Sequence, residues 1–334
     1  MTAQVSFVHP PYPWFFEYWQ QFVEQVTTER LPHALLLKGI EGIGAEALAT
    51  AMAQYLLCRT PIDARSCGHC RGCELLVAGT HPDFIQLVPQ EKSHVIKVAQ
   101  VRELTAILAN TAQQGGRKVV LVAPAEMMNV EAANAILKNL EEPANETVFI
   151  LVAFQSARVL PTIRSRTSQI ALPTPRWGDA LAWLDGQQVT RSADLLSATG
   201  GAPVKALTWF NNKQLEVHDD IAQCLSRGLK GEISPVDVGK KLAAYDLLVV
   251  FGLLLLWLQR AIKVQCAQLN DDLPVVQNLA ILPAVRLYSV LDTVQGRMAQ
   301  LYAGSNPNKV LATEELMLIV QGFLAERARR QRQG

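Results

Sequence analysis

Leu31-Pro32-His33-Ala34-Leu35-Leu36-Leu37-Lys38-Gly39-Ile40-Glu41-Gly42-Ile43-Gly44-Ala45-Glu46 is the stretch from which the fold can be read. Ala34 to Leu37 form a short continuous apolar run, which suits a strand buried on both faces of a parallel sheet. A glycine loop, Gly39 to Gly44, follows at once, and Ala45 to Leu57 has helical character. The same alternation continues downstream. Phe84–Leu87, Lys118–Val122, Thr147–Ala153 and Ile170–Leu172 read as strands, while Val98–Asn110 and Val130–Glu142 read as helices, the latter stopped by Pro143. Strands alternating with helices over residues 15–170 predict a parallel sheet covered on both faces. Upstream, Phe7, Tyr12, Trp14, Phe15, Phe16, Tyr18, Trp19 and Phe22 crowd the N-terminal segment, with a helix expected from about Phe15. They read as an anchor packed on the sheet domain.

The glycine loop has the place of a phosphate-binding loop but not its chemistry. Such a loop needs G-x4-G-K-[ST]: amides cradle the phosphates, Lys reaches the β and γ groups, and the hydroxyl ligates magnesium. Gly39 and Gly44 are present, but Ala45 replaces the lysine and Glu46 the hydroxyl. A carboxylate beside a triphosphate adds repulsion, on the order of 4 kcal/mol for unit charges about 4 Å apart at an effective dielectric of 20. The second half of the device fails too. After Lys118–Val122 a hydrolase needs acids for magnesium and water, whereas this chain has Ala123 and Pro124, with Glu126 two positions further on. The expectation is no ATP or magnesium at this loop and no ATP hydrolysis.

Cysteine spacing gives the strongest chemical signal. Cys58, Cys67, Cys70 and Cys73 follow the pattern C-x8-C-x2-C-x2-C, with Gly68 and Gly72 between them. Two-residue gaps let thiolates converge on one ion, and four sulfur ligands leave no open position for water, so a structural zinc is expected. A redox pair would need only two thiols, and disulfides suit an exported chain. His69 lies between ligands and is expected to point outward; His81 and His33 read as turn or core histidines. Cys224 and Cys266 stand alone and read as buried small residues.

The 334 residues carry 31 Lys+Arg against 30 Asp+Glu, and only 18% are charged while 49% are hydrophobic. This balance excludes disorder and a chain that wraps a polyanion by itself. Leu247 to Leu258, the longest apolar run, is shorter than the ~20 residues a membrane span needs, so it reads as a buried core helix. No secretory signal is visible, and a cytoplasmic location is expected. Beyond Pro173, Pro175 and Gly178 only helical patterns remain, over 176–185, 190–199 and 203–212, then longer ones. The expected division is a sheet domain over 1–174 with the cysteine module at 58–73, a small helical domain over 175–215, and a larger helical domain over 216–334. The basic tail, Arg327 to Arg332, reads as a solvated helix end. One arginine-rich element, Ile163-Arg164-Ser165-Arg166-Thr167, precedes the last strand. Arg166 reads either as a surface salt-bridge residue or as a fork able to reach a neighbouring subunit's phosphates.

Together these elements resemble the delta-prime subunits of the bacterial DNA polymerase III clamp loader, within the AAA+ superfamily. The likeness rests on Leu31-Pro32-His33-Ala34-Leu35-Leu36 before the glycine loop, and on Cys58 with Cys67-Gly68-His69-Cys70-Arg71-Gly72-Cys73. Gly79-Thr80-His81-Pro82-Asp83 and Asn134-Ala135-Ile136-Leu137-Lys138-Asn139-Leu140-Glu141-Glu142-Pro143 add to it. Ser165-Arg166-Thr167 is similar to the family's Ser-Arg-Cys motif, with Thr167 in place of the cysteine; Pro203 stands near where active relatives carry a sensor arginine. The resemblance implies a RecA-like AAA+ sheet domain with zinc module, a helical lid and an all-α collar. It implies a non-hydrolysing subunit that works in DNA replication, in a ring with gamma/tau and delta subunits that loads the sliding clamp on primer-template DNA. Arg166 would serve a neighbour's ATP in trans, with Ser165 positioning its loop. Lys97 and Lys138 would face DNA phosphates or be ordinary solvated lysines. Two other readings stay open: a catalytic gamma/tau-like ATPase with an unorthodox site, and a zinc-dependent DNA-binding protein.

Overall fold

The computed structural model describes residues 12–90, 95–114, 116–144, 146–267, 270–302 and 305–331, with side chains up to residue 320. Phe7 and the side chains of the basic tail lie outside the described residues. The chain forms two compact units, Met1–Thr208 and Trp209–Gly334.

In the first unit the strands are β1 (Ala34–Lys38), β2 (Phe84–Leu87), β3 (Lys118–Val122), β4 (Thr147–Ala153) and β5 (Ser168–Ala171). They form one parallel sheet in the order β2-β3-β4-β1-β5, with Leu35 level with Ile150 and Leu121 also level with Ile150 from the other side. β3 and β4 are buried along their whole length, because helices cover both faces and no face of the pleat is left for polar residues. On one face α2 (Ala45–Leu57) packs with α1 (Phe16–Thr27), where Phe15, Trp19 and Phe22 meet Leu48, Met52 and Tyr55. This is the anchor expected of the N-terminal aromatics. On the other, α4 (Val98–Leu108) and α5 (Val130–Glu141) bury Val101, Leu104, Ile136 and Leu140. α3 (Arg71–Val77) carries part of the cysteine module, and α6 (Pro161–Arg164) precedes β5.

Several boundaries differ from expectation. The last strand is Ser168–Ala171 rather than Ile170–Leu172, because this edge strand is largely exposed and its ladder, not its apolarity, sets its limits. α4 ends at Leu108, two residues early. There the buried Lys118 turns its ammonium onto the helix end, donating from Nζ to the carbonyls of Ile107 (2.6 Å) and Asn110 (2.5 Å). The patterns at 176–185, 190–199 and 203–212 become α7 (Trp177–Gly186), α8 (Ser192–Ala198) and α9 (Pro203–Asn211).

The second unit holds α10 (Gln214–Leu229), α11 (Pro235–Leu242), α12 (Leu247–Ala267), α13 (Pro274–Leu279), α14 (Ala284–Tyr302) and α15 (Lys309–Gln331). α12 is long and apolar enough to cross a membrane by length and composition, yet Val250, Phe251, Leu254, Trp257 and Leu258 are buried among neighbouring helices. An apolar helix surrounded by others is a core helix. Cys224 is buried as expected, but Cys266 is exposed: it lies in the last turn of α12, beyond the stretch its neighbours cover.

Candidate functional site

The sheet has two ends, and each carries one of the motifs. The glycine loop follows β1 at the carboxyl ends of the strands, where open parallel sheets place their ligands. α2 then runs back to the opposite end, so Cys58, which follows its last residue, sits beside the segments that lead into the strands.

At that end the four cysteine sulfurs lie within 4.8 Å of one another. Cys58 and Cys70 sulfurs are 4.0 Å apart, as are those of Cys67 and Cys73. A tetrahedral ion with sulfur ligands at ~2.3 Å implies sulfur–sulfur edges of ~3.8 Å, so the donor set is compatible with zinc after a small inward movement of the sulfurs. Backbone amides support the thiolates: Cys67 N–H donates to Cys58 Sγ at 3.2 Å and Cys70 N–H to Cys67 Sγ at 3.3 Å. A Thr60 hydroxyl on Cys67 (3.4 Å) is the main cause that brings this thiol down to about 5, while burial pushes Cys58 and Cys73 up. Cys67 and Cys70 are thus both shifted toward the thiolate, and the buried Cys58 and Cys73 need the cation to become thiolates. Gly72 is fixed by packing: a Cβ there would stand 2.5 Å from the Leu57 carbonyl oxygen. His69 is exposed and turned to the Cys67 carbonyl, outside the sulfur cluster, as its position between ligands suggested. His81 is buried in the turn before β2, where its Nδ1 accepts from the Asp83 amide, and His33 meets the Leu140 carbonyl.

At the other end the glycine loop is filled by the protein itself. Gly44 caps α2 at φ +95°, and a Cβ on it would lie 2.0 Å from the Tyr12 ring, so that ring rests directly on the loop. Tyr12 stacks on Trp14 with centroids 5.0 Å apart, and Trp183 of α7 meets both edge-on. Trp14 donates its indole N–H to the Ile43 carbonyl at 2.9 Å. From α9, the amides of Val204 and Lys205 donate to the Gly42 carbonyl at 3.0 and 3.1 Å, and Lys205 Nζ pairs with Glu41 at 2.8 Å. Pro203, at the start of α9, is buried.

The acids at this end do other work. Glu126 is buried; its Oε1 accepts from the amides of Phe154 (3.0 Å) and Gln155 (2.9 Å), tying the end of β4 to the segment after β3. Glu46 replaces the magnesium-binding hydroxyl, and burial, then Glu41 and Glu126, raise its pKa. Sequence reasoning singled out Ala45, Glu46 and Glu126 but missed Tyr12, Trp14, Trp183, Lys205 and Glu41 as the loop's contents. The available signal was the loss of the phosphate-binding lysine: a cradle without its ligand has to be filled.

Arg166 lies just after α6, with side-chain exposure of 34%, and Ser165 Oγ donates to the Thr162 carbonyl beside it. Lys97 and Lys138 are both exposed. Lys97 precedes α4, and Lys138 lies in the last turn of α5. Ile96 bridges Met128 at one end of this helix pair, and Asn139 Nδ2 reaches Thr105 Oγ1 near the other, so the helices run side by side in the same direction. The two lysines therefore stand roughly 13 Å apart along the axes rather than converging.

The family described as "DNA polymerase III, delta subunit" matches residues 16–176. A DNA polymerase III subunit delta' of Pseudomonas aeruginosa is 36% identical over 318 residues, covering 92% of this chain and 96% of that protein. The Escherichia coli subunit delta' is 40% identical over 219 residues, 64% of this chain and 65% of its own length. A solved gamma-subunit-related protein of Thermotoga maritima covers 92% of the chain at 18% identity with a TM-score of 0.41, a likeness too loose to bear on the fold. Sequence identity of that extent along almost the whole of a relative places the parallel-sheet unit and the helical unit in one known context: the chain belongs to the delta-prime family of DNA polymerase III clamp-loader subunits.

Proposed function

We propose that this chain is a non-hydrolysing member of the clamp-loader ring, acting through partners rather than through its own nucleotide site. The observation that carries this reading is the glycine loop, which lacks its lysine and hydroxyl and holds the Tyr12 ring against Gly44. Its partners are gamma/tau and delta subunits, with the sliding clamp and primer-template DNA met in the assembled ring. Residues 175–215 act as a lid on the sheet domain (1–174), and 216–334 as the collar that joins neighbours. Cys58, Cys67, Cys70 and Cys73 hold a structural zinc, and the location is cytoplasmic.

Arg166 supplies a guanidinium to the ATP of the adjacent gamma/tau subunit. Its position beside a surface turn rather than near its own glycine loop supports this role. A charged planar fork stabilises the charge that develops on a transferring phosphoryl group, and an arginine given in trans contributes ~10³–10⁵ in rate. Lys97 and Lys138 neutralise backbone phosphates without reading sequence. The test is reconstitution with gamma/tau and delta subunits followed by ATPase measurement. Arg166→Ala is expected to silence the one site it serves, lowering the complex rate with assembly intact. An unchanged rate in an intact complex overturns the role of Arg166, and saturable ATP binding by the lone chain overturns the closed site.

A further inference from the structure

Arg166 is not waiting with its fork open. Its Nε donates to Glu141 Oε1 at 2.5 Å, and Nη2 meets the same oxygen. Its Nη1 donates to the Thr162 carbonyl at 3.0 Å and to Ser165 Oγ at 3.4 Å. A guanidinium has five N–H donors. Four are held within the chain, and one Nη2 hydrogen is left. A bidentate grip on a phosphate needs two parallel donors from one edge. In this pose no edge has two to give.

Glu141 is the last residue of α5, and Arg166 follows α6, so the pair joins two elements rather than neighbours on one helix. We infer that Glu141 is a latch: its carboxylate stores the Arg166 guanidinium within the subunit and must release it before the arginine can engage a neighbour's phosphate. The inference rests on the trans role given to Arg166 above. The exchange is easy because the pair is exposed, with side-chain exposures of 34% and 47%, and such pairs are weak. The carboxylate offers one negative charge and a phosphate more, so the guanidinium moves from the weaker anion to the stronger when the neighbour is loaded. Glu141 is a positioning residue: it touches the arginine, not the nucleotide.

Two measurements test it. In the isolated chain, the Arg166 Nε–H signal in a nitrogen-15 NMR spectrum is expected to exchange slowly with water, and to exchange fast in Glu141→Gln. In the reconstituted complex, Glu141→Gln is expected to raise kcat for ATP about two- to fivefold, the range an exposed pair can withhold, with KM unchanged. Glu142→Gln, one residue away, changes neither. An Nε–H signal unaltered by Glu141→Gln shows that no latch exists, whatever the ATPase does. A kcat that falls or stays level in Glu141→Gln shows that Glu141 braces the arginine or is idle, and overturns the latch. An unchanged rate in Arg166→Ala, by contrast, removes the trans role itself and leaves the NMR result standing.

Discussion

The two ends of the central sheet received opposite treatment. At the end where the strands begin, four cysteines that could hold a metal ion lie together, with sulfurs within 4.8 Å of one another and amides aimed at two of them. At the end where the strands finish, the glycine loop keeps its shape and has lost every side chain that would hold a nucleotide. Atoms of the protein stand there instead: Tyr12 on Gly44, Trp14 on Ile43, Val204 and Lys205 on Gly42. A site stays empty for its ligand only while its donors are kept. Once they go, the backbone donors and acceptors that served the ligand still need partners and the space still needs filling, so the fold closes over it.

The sharpest way to break this contrast is at the cysteines. Replacing one ligand, as in Cys70→Ser, is expected to drop metal content from about one ion per chain to near zero and to lower stability by several kcal/mol, on the order seen where metal binding is coupled to folding. Elemental analysis and thermal unfolding measure both; a metal-free wild-type protein with four freely reactive thiols would remove the contrast altogether. The loop gives the next effect. Tyr12→Ala is expected to cost about 1–3 kcal/mol, less than the ~3–5 of a fully buried aromatic, because Tyr12 is only partly covered. It is not expected to restore nucleotide binding. Ala45→Lys with Glu46→Thr should bind a fluorescent nucleotide only when Tyr12→Ala is added, so the double and triple variants together separate lost chemistry from occupied space.

The smallest effect sits on Glu46. Its raised pKa means that it stabilises the fold while protonated, fully below the ordinary glutamate value of ~4.3, and that this contribution is lost as pH rises through its folded value. Glu46→Gln is therefore expected to raise the unfolding midpoint at pH 7 to 8 and to give no gain at about pH 4. The residue is only partly shielded from solvent, so the difference stays below about 1 kcal/mol. Equal midpoints for the two proteins across this range would show that the loop carries no electrostatic strain.

The legibility of each end follows from the reach of its contacts. The cysteine cluster is local: its four residues fall between 58 and 73, so spacing alone predicted that their sulfurs would meet. β3 and β4 matched their expected limits because uninterrupted apolar runs leave no choice of face. β5 was shifted because Ser168 and Gln169 pair with β1 through backbone bonds that composition does not record. The closure of the loop was invisible for a different reason. Tyr12, Gly44, Trp183 and Lys205 meet through the tertiary fold, and nothing in the period of any one helix announces the meeting. The missing phosphate chemistry could be read; what replaced it could not. The same holds for Glu141, which sequence placed only within a helix and which the fold brings onto Arg166.

The Tyr12 ring on Gly44 also changes how the loop responds to the cell. A nucleotide is a diffusing ligand, and its occupancy follows its concentration. Tyr12 is a ligand tethered to its own receptor, with an effective concentration set by the intervening chain; flexible tethers already reach the millimolar range, and a folded one holds its ligand in place. Free nucleotide therefore meets a competitor that cannot be diluted. The loop is therefore expected to keep one conformation whatever the nucleotide concentration around it.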